Sequence, residues 1–506
     1  MTITNLESQT IPGLWPKLRF LQSLQLAFVL AVAGSVSAMA SNPTWVGATD
    51  AGGNGATAAY AIKIAPNHDQ YVAGQFTEKA KFSSTTLTSQ GGTDIFLVKY
   101  SASGKLLWAL QSGGAENDEA QSLSLDTDGN VYVTGYFTDS ATFNSTNHTL
   151  KTVSGNGQTT YLAKYSPAGN LVWIQTGDAS VNGVNFGSAI AVNSAANTVY
   201  VVLGTQGNTT FSSAGAASST TDGPWTWHVL LAKYNTAGDF QWAQTNEGSP
   251  NSLPSGVTVD AQDNAYLVGW MEDQTTFSSA DGEDITLDGF SPAQTNTDYP
   301  GDAFVAKYDK NGIAKWANHA GGYKAIGNAV AVLADGEVSI GGLIGNINYG
   351  SASEAETIVT SQPPGANINL GGGHFTDPYN ADVFVATFNS AGVLERALRY
   401  GTAEQEVVTS IKYDTAGDVL IAGLSGPATG SPNVFVRKYS DSNLVWQQTA
   451  QNVGLWFSDS TTPALGVDPA GKLFLAGGYS GTADFGSFHL TASGSSDMFL
   501  AELSQE

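Results

Sequence analysis

The sequence contains no cysteine. Disulfides, thiolate metal sites and cysteine nucleophiles are therefore excluded together. Basic residues are scarce, with 20 Lys and Arg against 44 Asp and Glu and a formal net charge of −24. Binding to phosphate backbones needs clustered Lys and Arg, so nucleic acid is excluded as a partner. The six histidines (68, 148, 228, 319, 374 and 489) show no metal-ligand spacing, and neither H-E-x-x-H nor G-x-S-x-G occurs. Beyond the first 40 residues no apolar run is long enough to span a bilayer. What is abundant is glycine, 58 in 506 residues, above the usual ~7% share. With 42% hydrophobic and 10% aromatic residues, the chain can bury a large core. These proportions predict a turn-rich, all-β protein.

At the N-terminus, Lys17 and Arg19 precede an apolar run from Phe20 to Gly34, followed by SVSAMA. A basic start, a short apolar stretch and small residues at Val36, Ala38 and Ala40 describe a secretory signal peptide. The run is broken by Gln22, Ser23 and Gln25, and falls short of the ~20 apolar residues of a membrane anchor. The expectation is a signal over residues 1–40, cleaved near 38–41. The product would be soluble and periplasmic or extracellular, without a membrane span.

One phrase recurs along the rest of the chain: an apolar strand ending in Lys-Tyr, a glycine turn, then a strand carrying Trp. It reads DIFLVKYSASGKLLW at 94–108, TYLAKYSPAGNLVW at 160–173, HVLLAKYNTAGDFQW at 228–242 and DAFVAKYDKNGIAKW at 302–316. Degraded copies are DVFVATFNSAGVLER at 382–396, with Thr387 for Lys and Arg396 for Trp, and NVFVRKYSDSNLVW at 433–446. A last copy, DMFLAEL at 497–503, lacks its Trp strand. Between phrases lie alternating hairpins such as AQSLSLDTDGNVYVTGYF at 120–137. Each unit thus has four strands, and spacings of 51 to 80 residues between equivalent aromatic positions suit a propeller blade rather than a solenoid turn. The orphan segment NPTWVGATDAGG at 42–53 is expected to pair with DMFLAEL, completing the last unit and closing its open edge.

The DIFLVKYSASGKLLW and DTDGNVYVTGYF phrases resemble the SBBP-type β-propeller repeat found mainly in secreted bacterial proteins. The resemblance covers residues 42–506 and implies an all-β fold, a single seven-bladed β-propeller of four-stranded antiparallel blades. It implies no general activity and supplies no catalytic residues. ASGKLLW also resembles the tryptophan-docking motif of quinoprotein blades, though those enzymes often use a vicinal cysteine pair.

By analogy with other propellers, the DTDGN and SASGK turns fall on one face, and the variable connections on the other. Those connections lengthen near 205–227, 271–301 and 343–381, where binding function is readily grafted onto a rigid scaffold. The candidate ligand-binding residues on this face are Trp225 and Trp227, a pair able to stack on sugar rings, and the acidic group Glu116, Asp118 and Glu119. Glu404, Glu406, Asp273, Asp281, Glu283, Asp284 and Asp288 join them as acidic neighbours able to serve acid–base chemistry or hold a cation. Asp126-Thr127-Asp128-Gly129-Asn130 resembles the start of a calcium loop but lacks its later ligands, and a hairpin turn accounts for it. No cofactor is expected; calcium stays open as an alternative, without a full motif. The repeated Trps (45, 108, 173, 242, 316 and 446) and Lys99, Lys164, Lys233, Lys307 and Lys438 read as structural. The functional expectation is a monomeric, non-enzymatic recognition or scaffold module binding extracellular protein or polysaccharide. The alternatives are a propeller lyase, hydrolase or quinone-dependent dehydrogenase, and a structural envelope or matrix protein.

Overall fold

A strand whose side chains alternate between two faces, followed by a two- to four-residue polar turn, has one short way to continue: back along itself. The computed structural model follows that rule throughout, and no helix occurs among the described residues. It describes residues 42–179, 183–211, 218–219, 226–248, 251–289, 301–321, 325–345, 356–359, 367–369, 381–401, 404–427, 431–453 and 463–504. Pro43–Gln505 form one compact unit.

The repeated element is an antiparallel meander of four strands. The first runs Thr57–Ile64, Gln70–Phe76, Asp94–Tyr100 and Leu106–Gly113. The next begins at Glu119–Leu125 and ends at Leu171–Ala179. Others run from Val184–Asn193 to Phe240–Gly248, from Ser252–Val259 to Ala314–Gly321, and from Ala325–Val332 to Leu394–Tyr400. A further meander runs from Gln405–Tyr413 to Asn443–Ala450. The last joins Ala464–Val467, Leu473–Tyr479 and Asp497–Ser504 to the N-terminal strand Thr44–Gly53, which pairs antiparallel with Asp497–Ser504. The expected pairing of the orphan strand is present.

Each meander's first strand packs on the first strand of the next, and Thr57–Ile64 also packs on Ala464–Val467. The core lies between meanders: Tyr71, Ala73 and Leu97 of one pack with Leu123, Val133 and Tyr161 of the next.

The Lys-Tyr-turn-Trp phrase is the joint. Lys99 and Trp108 are cross-strand neighbours, and both donate to the carbonyl of Pro167 in the following meander. Lys164 and Trp173 do the same to Thr236, Lys233 and Trp242 to Lys310, and Lys307 and Trp316 to Ser390. The turn glycine, at φ +80° in Gly169, has no Cβ and lies flat against the Trp108 ring. A Tyr on the second strand meets each Trp edge-on, Tyr71 against Trp108 at 5.9 Å. Where the phrase has Arg396 for Trp, the guanidinium instead reaches Asp441 in the next meander's turn at 3.6 Å, and Glu337 at 3.9 Å.

Trp45 departs from the pattern. It pairs with Leu503, the register of Leu106, while Gly47 occupies the Trp108 position. Its indole donates backward, to the Thr449 carbonyl of the preceding meander, and its ring packs on Phe485 at 5.1 Å.

The connections between second and third strands are largely short strands where described. Gln274–Phe277 and Ile285–Asp288 form a hairpin added to the end of Phe240–Gly248. Thr209–Phe211 pairs with Gly177–Ala179, and Asn367–Asn369 runs parallel to His319–Gly321. The insertion segments near 205–227, 271–301 and 343–381 thus contribute strands that bind each meander to its predecessor, satisfying backbone groups that free loops would leave to water.

Candidate functional site

Where the first strands begin, their alternation is interrupted. Pairing registers shift between Ala59 and Ala61, Ala120 and Ser122, Gly187 and Ala189, Pro254 and Gly256, Gly327 and Ala329, and Val408 and Ser410. Each shift leaves one extra residue, and a bulge of this kind re-aims its side chain. In the first two meanders those residues are Tyr60 and Gln121. Later ones lock neighbours together: Asn328 donates to the Val408 carbonyl at 2.9 Å, and Thr409 to the Pro463 carbonyl at 2.7 Å.

Around the first two bulges a polar group assembles. The Gln75 amide donates to the Tyr60 hydroxyl at 2.5 Å. Gln121 donates to the Glu119 carboxylate at 2.7 Å, and the Tyr136 phenol hydrogen-bonds to the same carboxylate. Burial raises the pKa of both Tyr60 and Tyr136, and the Glu119 charge raises it further, so both phenols stay protonated. Gln75 Oε1 is buried with no partner among the described residues, an acceptor whose desolvation is uncompensated.

Beside it runs an apolar stretch. Gly187 packs against Thr134 and Gly135, which brings the start of Val184–Asn193, with Phe186, beside the Val131–Phe143 strand that carries Tyr136. Phe186 meets Trp227 edge-on at 5.3 Å. Gly204 lacks the Cβ that would strike the Phe186 ring at 2.6 Å and Leu253 at 3.0 Å, so these two side chains meet over it. Leu253 in turn pairs across strands with Trp270, which is partly exposed. Phenols, amides and a carboxylate thus border a strip of aromatic and aliphatic side chains.

Of the residues singled out from sequence, Trp225 lies outside the described residues. Trp227 is part of the aromatic strip but is held to the scaffold: its N–H donates to Asn251 Oδ1 and its carbonyl accepts from the Ser252 N–H. Glu119 joins the polar group. Asp118, its neighbour, turns inward and is fully buried, accepting from the backbone N–H groups of Gly114 at 2.6 Å and Thr138 at 3.0 Å. Burial pushes its pKa up to about 7, with Asp94 and Glu116 adding to the rise. Glu116 is exposed in the connection between Leu106–Gly113 and Glu119–Leu125. Glu406 is buried in an ion pair with Arg437 at 3.3 Å, and the guanidinium lies over the Tyr400 ring at 3.7 Å. Asp281 and Asp288 bond within their own hairpin, to Ser279 and Gln274. The Asp126 carboxylate accepts from the Asp128 and Asn130 backbone, the Asn130 side chain and Tyr132, the bonding of a hairpin turn. Among the described residues no group of three or more His, Asp or Glu is arranged to hold a metal ion. Tyr60 and Gln121 were missed in the sequence because a bulge leaves no more trace there than one skipped beat in an alternating run, and Gln75, Tyr136, Phe186 and Trp270 because their place beside them is set by which strands pack together.

Residues 107–139 match the SBBP β-propeller repeat. A curated relative, an uncharacterized WD repeat-containing protein of Acanthamoeba polyphaga mimivirus, is 28% identical over 269 residues. That match covers 47% of this chain and 19% of the relative, so the chain spans about a fifth of its length. The chain is a β-propeller repeat protein. Among solved structures, a protein of unknown function from Dyadobacter fermentans aligns over 92% of this chain and 100% of its own, at 10% identity and a TM-score of 0.37. A virginiamycin B lyase from Staphylococcus aureus aligns over 69% of this chain and 98% of its own, at 10% identity and a TM-score of 0.24.

Proposed function

We propose that the chain is an exported recognition module, a single seven-bladed propeller that binds polysaccharide at the mouth of its axis, on the face where the first strands begin. The blade count rests on the meanders, seven among the described residues, and on the packing of Thr57–Ile64 against Ala464–Val467, which returns the series to its start. Export rests on the signal-like residues 1–40, which lie outside the described residues.

The observation that carries the binding reading is the pairing of Tyr60, Gln75, Glu119 and Tyr136 with the strip of Phe186, Trp227, Leu253 and Trp270. Sugars present apolar ring faces edged by hydroxyls. A site with an aromatic side and a few fixed donors and acceptors matches both.

A glycan array followed by calorimetric titration tests this. Glu119→Gln should weaken binding at least tenfold without lowering the melting temperature. Trp270→Ala should weaken it as much while also costing stability, because its ring is only partly exposed. Glu116→Gln should leave binding unchanged. Absence of any glycan hit, with a protein captured from the native envelope through the same residues, would move the assignment to protein recognition.

A further inference from the structure

We propose that the propeller axis holds a second site, at the opposite end of the first strands, where Lys63 and Lys412 together bind a small oxyanion such as sulfate or phosphate. The inference rests on the ring reading above.

Both lysines lie on first strands, at one level. Lys63 pairs with Tyr71, Lys412 with Leu420 and Gly466 with Phe474, equivalent positions in three consecutive meanders around the closure. Gly466 has no side chain to separate the two amines; a Cβ there would meet Ile64 at 3.2 Å. The other first strands place only Ser124, Ala191, Thr258 and Ala331 at this level, so two cations are surrounded by small neutral groups.

The lysines of the blade joints answer a carboxylate of their own or the next blade, or a carbonyl of the next. Lys99 meets Asp69 at 2.9 Å, Lys233 meets Asp263 at 2.9 Å, and Lys438 meets Asp414 and Asp418. Among the described residues no carboxylate ion pair involves Lys63 or Lys412. Among the described residues Lys412 donates to the Ile411 carbonyl alone, at 3.1 Å. Both residues are partly open to solvent yet walled by protein. Burial lowers both amines, and the charge of Lys63 adds to the fall of Lys412, to about 7.

Charged groups on the packed strands are engaged elsewhere or lie at other levels. Glu119, Asp382 and Asp497 stand at the far ends of their strands by register, and Glu502 pairs with Lys472. Glu337 bonds to Tyr413, and Asp468 to His68 in the adjoining turns. Two cations in one enclosed, water-reached space repel each other, and an anion between them removes that repulsion and supplies acceptors for their protons.

The probe is sulfate, titrated against chloride at equal ionic strength and pH 6.5, by calorimetry and by melting temperature. The wild type should bind saturably, and Lys63→Met and Lys412→Met should each lose at least tenfold in affinity while melting no lower. Equal responses from the wild type and the double variant would overturn the site. Cross-linking with difluorodinitrobenzene, read by mass spectrometry, separates this from failure of the ring. No Lys63–Lys412 cross-link would overturn ring and site together. A cross-link that sulfate does not suppress would overturn the anion site alone.

Discussion

Lys99 and Trp108 donate to one acceptor, the carbonyl oxygen of Pro167, at 3.3 Å and 3.2 Å. Neither residue lies in the same meander as Pro167, so the pair binds one blade to the next through the backbone of its last turn. The Lys99 ammonium also lies 4.9 Å from the centre of the Tyr71 ring and 2.9 Å from Asp69. Direction is built into the four joints that carry this pair, because the donors of one blade reach the acceptor of the next.

Trp108→Ala should destabilise the protein by about 2–3 kcal/mol, below the ~3–5 kcal/mol of a fully buried Trp because this ring is partly exposed. Lys99→Met should cost about 1 kcal/mol, the scale of a hydrogen bond with its partner left behind. Denaturant unfolding of both single variants and the double variant should show a non-additive cycle, since the two groups share Pro167. Strict additivity would contradict a shared joint.

The joint carrying Arg396 is held differently, and salt should show it. Asp441 is almost wholly exposed, so its pair with Arg396 is screened. Asp441→Ala should change stability by no more than about 0.5 kcal/mol at physiological salt, within the range of exposed pairs. Arg396→Trp, with Thr387→Lys to restore the pair of the other joints, should raise the melting temperature. A fall would show that this joint has lost room for the indole.

Asp118 predicts a pH dependence. Its pKa is raised from 3.8 to about 7, so the folded state holds a proton that the unfolded state releases. The stability it contributes is full below pH ~4 and is lost as pH rises through 7. Asp118→Asn should flatten the stability profile between pH 4 and 7. A carbon-detected titration should place the Asp118 midpoint near 7, and a midpoint near 4 would contradict the burial argument.

Lys412 predicts the opposite slope. Its amine falls from 10.5 to about 7, so between those values the folded state binds fewer protons than the unfolded state. Stability should therefore climb as pH rises from 7 toward 10, and Lys412→Met should lose that climb. Melting temperatures of the two proteins across this window provide the comparison.

Removing residues 42–53 should expose the edge of Asp497–Ser504, which pairs with Thr44–Ala51 in the intact chain. The expected result is loss of cooperative melting and aggregation, because an unpaired apolar edge recruits other strands. Adding the excised peptide should restore a single transition.

The repeated phrase determined most of the architecture by itself. Alternating residues, glycine turns and a recurrent Lys–Trp pair specify four-stranded meanders, because side-chain period and turn chemistry act over a few residues. The pairing of the N-terminal strand was legible for the same reason, one phrase lacking a strand and one strand lacking a phrase. The tertiary structure alone decided how the acidic residues divide. Asp118 and Glu119 are adjacent in the chain, yet one seals a loop and the other joins Tyr136 at the candidate site, since Asp118 ends the connection and Glu119 opens the strand. It also decided the bulges that aim Tyr60 and Gln121, the engagement of Trp227 by Phe186, and the placing of Lys63 and Lys412 on one level. Those facts depend on which strand lies beside which, a relation between residues well separated in the chain and, for Lys63 and Lys412, hundreds of positions apart.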